Sequence, residues 1–211
     1  MPTRVHHPIF ARMYRRIADD AEDRGASEHR DELLAGLSGC VVEVGAGSGL
    51  NFGHYPTNVT QVLAIEPESY LRGVAEAAVA DAHVPVTVVD GAADDLPASA
   101  GEFDAGVVSL VLCSVKSPAS ALGQLFRVIR PGGELRFYEH VRSPKPGFAR
   151  AQRALDLVWP WFGGGCHTSR DTEHAIADAG FVIERVRHFS FRPAPCAAPV
   201  SPHIIGVARR P

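Results

Sequence analysis

The side chains best suited to chemistry are two thiols, two imidazoles and a carboxylate: Cys113, Glu139, His140, Cys166 and His167. A thiol with a pKa of about 8.5 already supplies some thiolate near neutral pH, and an imidazole titrates close enough to neutrality to accept its proton. No strong-base dyad accompanies them, which favours a reaction on a nucleophile that is itself fairly acidic. Plainer readings stand beside this one. Cys113 can be a small buried residue, His140 can cap a strand end, and Ser114 and Thr168 can cap local backbone. Cys166 and His167 form no recognised zinc spacing, so no metal centre is expected. The four cysteines, Cys40, Cys113, Cys166 and Cys196, contain no C-x-x-C pair and read as free thiols.

A glycine loop, Glu43-Val44-Gly45-Ala46-Gly47-Ser48-Gly49, supplies a different kind of signal. Glycines between a strand and a helix permit positive φ and close approach of backbone to a ligand. A dinucleotide fingerprint would place its third glycine at position 50, which is Leu50. G-x-G-x-G preceded by an acid is instead the pattern of S-adenosylmethionine methyltransferases. That ligand has an ammonium, a carboxylate and a sulfonium, but no pyrophosphate. Glu43 suits its cationic end, and Glu66, followed by Pro67 at the tip of the next strand, suits two ribose hydroxyls. Asp90-Gly91-Ala92-Ala93-Asp94-Asp95-Leu96-Pro97 resembles the segment that lies against adenine. Ala92 stands where an aspartate is usual, leaving Asp94 or backbone near Ala93 for the amine. Gly45, Ala46, Gly47, Gly49, Asn51, Leu110 and Ser114 complete the expected cofactor set.

The elements that must position these groups are legible as alternating strands and helices. Cys40–Val44, Gln61–Ile65, Val84–Val89, Phe103–Leu112 and Glu134–His140 read as buried strands. Tyr70–Ala82, Ala119–Ile129 and Asp171–Ala179 read as helices, the second stopped by Arg130-Pro131-Gly132-Gly133. Val182–Phe189 and His203–Arg209 have no helix between them and imply an antiparallel end. The fold class is therefore α/β, a doubly wound, seven-stranded, mostly parallel sheet. Residues 1–211 form one domain: an N-terminal helical cap over 1–37, a cofactor-binding core over 38–141, and a substrate-side loop, helix and closing strands over 142–211. Within the cap, Ile9–Leu37 reads as helical, with Phe10, Met13, Tyr14 and Ile17 along one stripe. Such a helix can pack on the domain, cover a cofactor cleft or lie on a membrane surface. Trp159, Trp161 and Phe162 read as core or lid residues.

Length, charge and hydropathy narrow the functional classes. The 211 residues carry a formal net charge of −3 and no long Lys/Arg run, which argues against a nucleic-acid partner. No stretch approaches the ~18 apolar residues needed to span a bilayer, and Met1–Ala11 lacks the apolar centre of a signal peptide. A cytoplasmic enzyme acting on a small-molecule methyl acceptor is expected; oligomeric state is not specified.

Longer strings narrow the resemblance. Leu110-Val111-Leu112-Cys113-Ser114-Val115-Lys116, Tyr138-Glu139-His140-Val141 and Gly165-Cys166-His167-Thr168-Ser169-Arg170 look like segments of the methyltransferase-like alkyl thiol S-methyltransferases. Pro202-His203-Ile204-Ile205-Gly206, and the glycine loop running on into Asn51-Phe52 and Tyr55-Pro56, also fit that family. The resemblance covers about Leu37 to Arg209 and implies methylation of a small, fairly apolar thiol or hydrosulfide. Quinol-type C-methyltransferases share the architecture; a phenol or a lipid headgroup is a further rival acceptor, and a non-catalytic cofactor-binding module is the rival of another class. Animal members carry an N-terminal hydrophobic anchor, for which this chain has only the short amphipathic helix. In the thiol reading His140 assists deprotonation of the acceptor, oriented by Glu139 or a backbone carbonyl.

Overall fold

In the computed structural model, residues 8–211 are described, without the side chains of Pro8, Ile9, Phe10 and Cys196. The expectations for a leader segment, for the Phe10 side chain and for the Cys196 thiol therefore lie wholly or largely outside the described residues. Seven strands, β1 (Gly39–Val44), β2 (Val59–Ile65), β3 (Val86–Val89), β4 (Phe103–Ser109), β5 (Ile129–His140), β6 (Val182–Ser190) and β7 (Pro202–Arg209), form one sheet. Their order is β3-β2-β1-β4-β5-β7-β6, parallel throughout except for β7, which runs antiparallel to both β5 and β6. The Val-rich centre of β1 is buried, as a strand covered by helices on both faces requires. Successive strands step outward one way from β1 and the other way from β4. Such a switch point opens a crevice beyond the carboxyl ends of those two strands.

Among the described residues seven α-helices, α1 (Pro8–Ala21), α2 (Ser27–Leu34), α3 (Ser69–Ala78), α4 (Pro118–Val128), α5 (Pro146–Leu155), α6 (Trp159–Phe162) and α7 (Thr172–Asp178), accompany the sheet. Side-chain caps begin three of them: Glu68 accepts from Leu71 N at 2.9 Å, Ser117 from Ser120 N at 3.2 Å and Asp171 from His174 N at 3.4 Å. One apolar cluster joins Val42, Phe103, Leu122, Leu125, Phe137 and Ile176. A second joins Val41, Ala64, Val107, Leu33, Leu34 and Tyr138. Burial of each large apolar side chain contributes about 1.5–3 kcal/mol, so the two layers fix the strand ends that carry the site.

Several boundaries differ from the sequence reading for identifiable reasons. The single helix expected over Ile9–Leu37 is two, broken by a kink at Gly25, which takes φ 106°. Strand β4 stops at Ser109 rather than Leu112 because Leu110 turns to φ 59°. Strand β5 starts at Ile129, so Arg130–Gly133, read as a helix stop, already belongs to the strand. The apolar stripe of α1 is packed only in part: Met13 and Ile17 are about half exposed, at 46% and 53%, while Tyr14 lies over Gly47. Trp161 and Phe162 are not core residues, being 86% and 73% exposed. Among the described residues, no helix is long and apolar enough to cross a membrane.

Candidate active site

The crevice at the switch point is built first by backbone. Gly45 has φ 72°, and a Cβ there would lie 2.5 Å from Val111 Cγ2, so only glycine fits. The N–H groups of Gly45 and Ala46 donate to Ile65 O at 2.8 and 3.1 Å, pinning the loop to β2. Strand β1 delivers Glu43 beneath it. One carboxylate oxygen of Glu43 accepts from Asn51 Nδ2 at 2.7 Å and the other from Tyr55 OH at 2.8 Å. Burial pushes the Glu43 carboxyl up to about 7, against the opposing pull of those two donors and of Arg30. The buried Arg30 of α2 donates to Asn51 Oδ1 at 2.7 Å and to Glu22 Oε1 at 2.9 Å. Asn51 thus links one anion and one cation that line the same cleft.

At the tip of β2, Glu66 accepts from the backbone N–H of Gly47 and of Glu68, both at 2.9 Å. Burial raises its pKa despite those two bonds. The carbonyls of Glu66 and Pro67 accept from Arg72, which fixes that tip. Ala92 and Ala93 are half-buried, and Ala92 bridges to Asp95; Asp94 is exposed. From α1, Tyr14 comes over Gly47, its ring 3.8 Å from where a Cβ would stand. Burial pushes the Tyr14 phenol up to about 12, and its electrostatic neighbours include Arg30, Cys113, Glu66 and Cys166. Tyr14 therefore stands where the glycine loop meets the thiols.

The thiols sit on the loop after β4 and on the segment after α6. Glu139 holds the first: its carboxylate accepts from the N–H of Val111, Leu112 and Cys113 at 2.9, 2.8 and 3.2 Å. Burial pushes that carboxyl up to about 7. The second segment docks on the first. His167 N donates to Cys113 O at 2.8 Å, and the Arg170 guanidinium donates to Leu112 O. Gly165 has φ 87°, and a Cβ there would lie 2.9 Å from Ser114 O. Gly165→Ala is accordingly expected to destabilise the fold by about 2 kcal/mol, read as a lowered midpoint in thermal unfolding. An unchanged midpoint would show that the two segments are not held this closely.

These contacts bring Cys113, His140 and Cys166 together, with Cys166 Sγ 3.6 Å from His140 Nδ1. A hydrogen bond between the two thiols holds Cys166 well below the ordinary thiol range and, with burial, Cys113 well above it. His203 closes the far side, its ring edge-on to His140 at 4.6 Å between centroids. Its Nδ1–H donates to Ser201 O at 2.8 Å, and burial pushes its pKa down to about 3.

Two expected roles need correction. Glu139 does not orient His140, because both its oxygens are taken by backbone N–H groups of the neighbouring loop. His167 joins through its backbone; its imidazole is not part of the Cys113–His140–Cys166 cluster. Ser114 lies beside the cluster, its Oγ 3.4 Å from Cys113 Sγ. Arg30, Tyr55 and His203 were missed as site residues. Arg30 carried a signal: it interrupts the apolar series Ala26, Leu33, Leu34 and Leu37 on one helical face.

Comparison with known proteins matches residues 42–137 to a family described as a methyltransferase domain. The thiol S-methyltransferase TMT1B of Homo sapiens is 35% identical over 182 residues, covering 83% of this chain and 73% of that protein. The chain belongs to the class I S-adenosylmethionine-dependent methyltransferases. This methyltransferase is also 34% identical over 186 residues to the human thiol S-methyltransferase TMT1A, covering 83% of the chain and 73% of that protein. In fold it matches the crystal structure of a putative methyltransferase from Bacillus halodurans, with a TM-score of 0.70 at 16% identity, over 88% of this chain and 98% of that one. Its cofactor is S-adenosylmethionine, which supplies a methyl group activated by its bond to a positive sulfur. The cleft fits that group: it presents one carboxylate and one guanidinium, Glu43 and Arg30, beside glycine backbone.

Proposed function

We propose that this methyltransferase methylates the sulfur of a small, fairly apolar thiol or hydrosulfide. The observation that carries the reading is the likeness to TMT1B, named as a thiol S-methyltransferase, over 83% of the chain, well beyond residues 42–137. A cluster beyond the end of β4 supports it. It is formed by Cys113, Cys166 and His140, backed by the rings of Tyr138, Phe189 and His203. An apolar acceptor suits that lining, and displacement at an activated methyl asks the protein chiefly for alignment, a contribution of several kcal/mol.

The cofactor-side roles are assigned as follows. Glu43 faces the α-ammonium and Arg30 the α-carboxylate of the amino-acid end, while the loop Gly45–Gly49 lies beneath. Glu66 accepts from the ribose hydroxyls, in exchange for its bond from Gly47 N. Asn51 keeps Glu43 and Arg30 in register, and the Ala92–Ala93 backbone and Leu110 border the adenine. Ser114 borders the acceptor side.

The test is methyl transfer from labelled S-adenosylmethionine to hydrosulfide, a small alkyl thiol, a phenol, a quinol and an ethanolamine lipid. Turnover confined to the two sulfur acceptors is expected. Turnover on the quinol, phenol or lipid would remove the thiol assignment and leave the cofactor chemistry in place.

A pH dependence follows from Glu43, whose carboxyl is pushed to about 7. Raising the pH ionises it, and a cationic ligand binds the ionised form better. Cofactor affinity therefore rises with pH between 5.5 and 7, by up to about tenfold per unit, below the titration of the ligand's own α-ammonium near ~8. The groups facing Glu43 are Arg30, Glu66, Tyr55 and Asn51. Glu43→Gln should flatten the dependence; calorimetry showing the same slope in that variant would place the titrating group elsewhere.

A further inference from the structure

We propose that Cys113, His140 and Cys166 form a three-ligand site for a thiophilic divalent cation, zinc in the first instance, with the fourth position open to the methyl acceptor. The two sulfurs and the imidazole nitrogen all lie within 4.8 Å of one another. The separation between Cys166 Sγ and His140 Nδ1 is 3.6 Å, within the range of a hydrogen bond to sulfur. It is close to the ~3.5 Å edge of a tetrahedron with Zn–S about 2.3 Å and Zn–N about 2.0–2.1 Å. Two thiolates and one imidazole are a donor set that selects zinc over hard cations, and three protein ligands with one open position is the pattern of catalytic zinc.

The setting is that of a held site. Glu139 fixes the backbone of residues 111–113 through three N–H bonds. The Cys166 segment is tied to the same loop by His167 N and Arg170. Asp156 braces it from behind, accepting from the N–H groups and hydroxyls of Thr168 and Ser169. Outer-shell groups are present as well: His203 packs edge-on against His140, and the buried indole N–H of Trp159 lies beside Cys166. Metal sites depend on such support. The ligands come from three separate elements, so no local spacing announces them in the sequence.

The open position deepens the thiol reading and rests on it; the metal site itself does not. An acceptor thiol entering that position forms a metal–sulfur bond and loses its S–H proton to water. It then meets the methyl group as a bound thiolate at neutral pH.

The test starts from reduced, chelator-treated protein titrated with Co²⁺ as a spectroscopic stand-in, then competed with Zn²⁺. The expected result is one equivalent bound, a thiolate-to-cobalt charge-transfer band, and visible bands of tetrahedral intensity that Zn²⁺ abolishes. Cys166→Ser and His140→Gln should each lower Co²⁺ affinity by more than about 100-fold. Cys40→Ser, which removes a thiol outside the cluster, should bind as wild type does. Thermal unfolding and cofactor binding serve to confirm that each variant is folded. Absence of the charge-transfer band in the wild type, or an undiminished Co²⁺ affinity in folded Cys166→Ser, overturns the metal site. Addition of an alkyl thiol should then shift the cobalt spectrum. A folded, metal-free enzyme that methylates thiols at the full rate would overturn the open-position role while the thiol reading stood. Metal binding without any thiol turnover would keep the site and remove the thiol reading.

Discussion

Arg30→Met is expected to weaken S-adenosylmethionine binding by roughly 100-fold, because a hydrogen bond to a charged partner in a buried site contributes about 1.5–3 kcal/mol. Arg30 is 7% exposed and is the guanidinium that lines the cleft holding the glycine loop. Its partners, Glu22 and Asn51, fix its direction from two sides. Arg30→Lys restores the charge without the planar fork, so affinity should recover only in part. Loss of Arg30 also leaves Glu22 unpaired, which separates two explanations. Glu22→Gln breaks the same ion pair away from the cleft and should lower the unfolding midpoint while keeping cofactor affinity within a few-fold of wild type. Calorimetry on the three variants reads both quantities. If Arg30→Met binds the cofactor as tightly as wild type, the amino-acid end is not held by this residue.

Much of the glycine-loop cleft was legible because its signals are local. Glycines of positive φ at 45, 47 and 49, an acid at 43 and another at 66 are adjacent in sequence to the elements that use them. The sheet was legible for the same reason, since buried parallel strands are short apolar runs with turn residues at both ends. What escaped was non-local. Arg30 meets Asn51, which lies beyond β1 in sequence, and nothing in the periodicity of α2 says which residue it will meet. Glu139 was read as a neighbour of His140 in chemistry because it is its neighbour in sequence. On a strand, consecutive side chains point to opposite faces, and here they serve different loops. The exposure of Trp161 and Phe162 was missed because composition alone marks aromatics as core. The helix break at Gly25 was missed because the apolar spacing runs on past it.

Glu139→Ala is expected to be the most destabilising single change in the site. The carboxylate is fully buried and answers three backbone N–H groups of one turn, those of Val111, Leu112 and Cys113. Each buried donor left without an acceptor costs about 1–3 kcal/mol, and water entering the space recovers part of that. A net loss of about 4 kcal/mol follows, which for a domain of this size lowers the unfolding midpoint by about 10 °C. Glu139→Gln separates hydrogen bonding from mere filling of space. Its amide oxygen can still accept from two of the N–H groups, but its NH₂ faces the third, so roughly half of the loss should remain. The functional consequence is selective. Glu43, Arg30 and Glu66 are held by β1, α2 and β2, so folded Glu139→Gln should keep cofactor affinity within a few-fold. The turn carrying Leu110, at φ 59°, and Cys113 loses the bond to Cys113 N, so kcat should fall by up to about 10²-fold, as expected when a group at the site is displaced by about 1 Å. An unfolding midpoint within 2 °C of wild type for Glu139→Ala, measured by calorimetry near neutral pH, would mean that the turn after β4 is held by something other than this carboxylate.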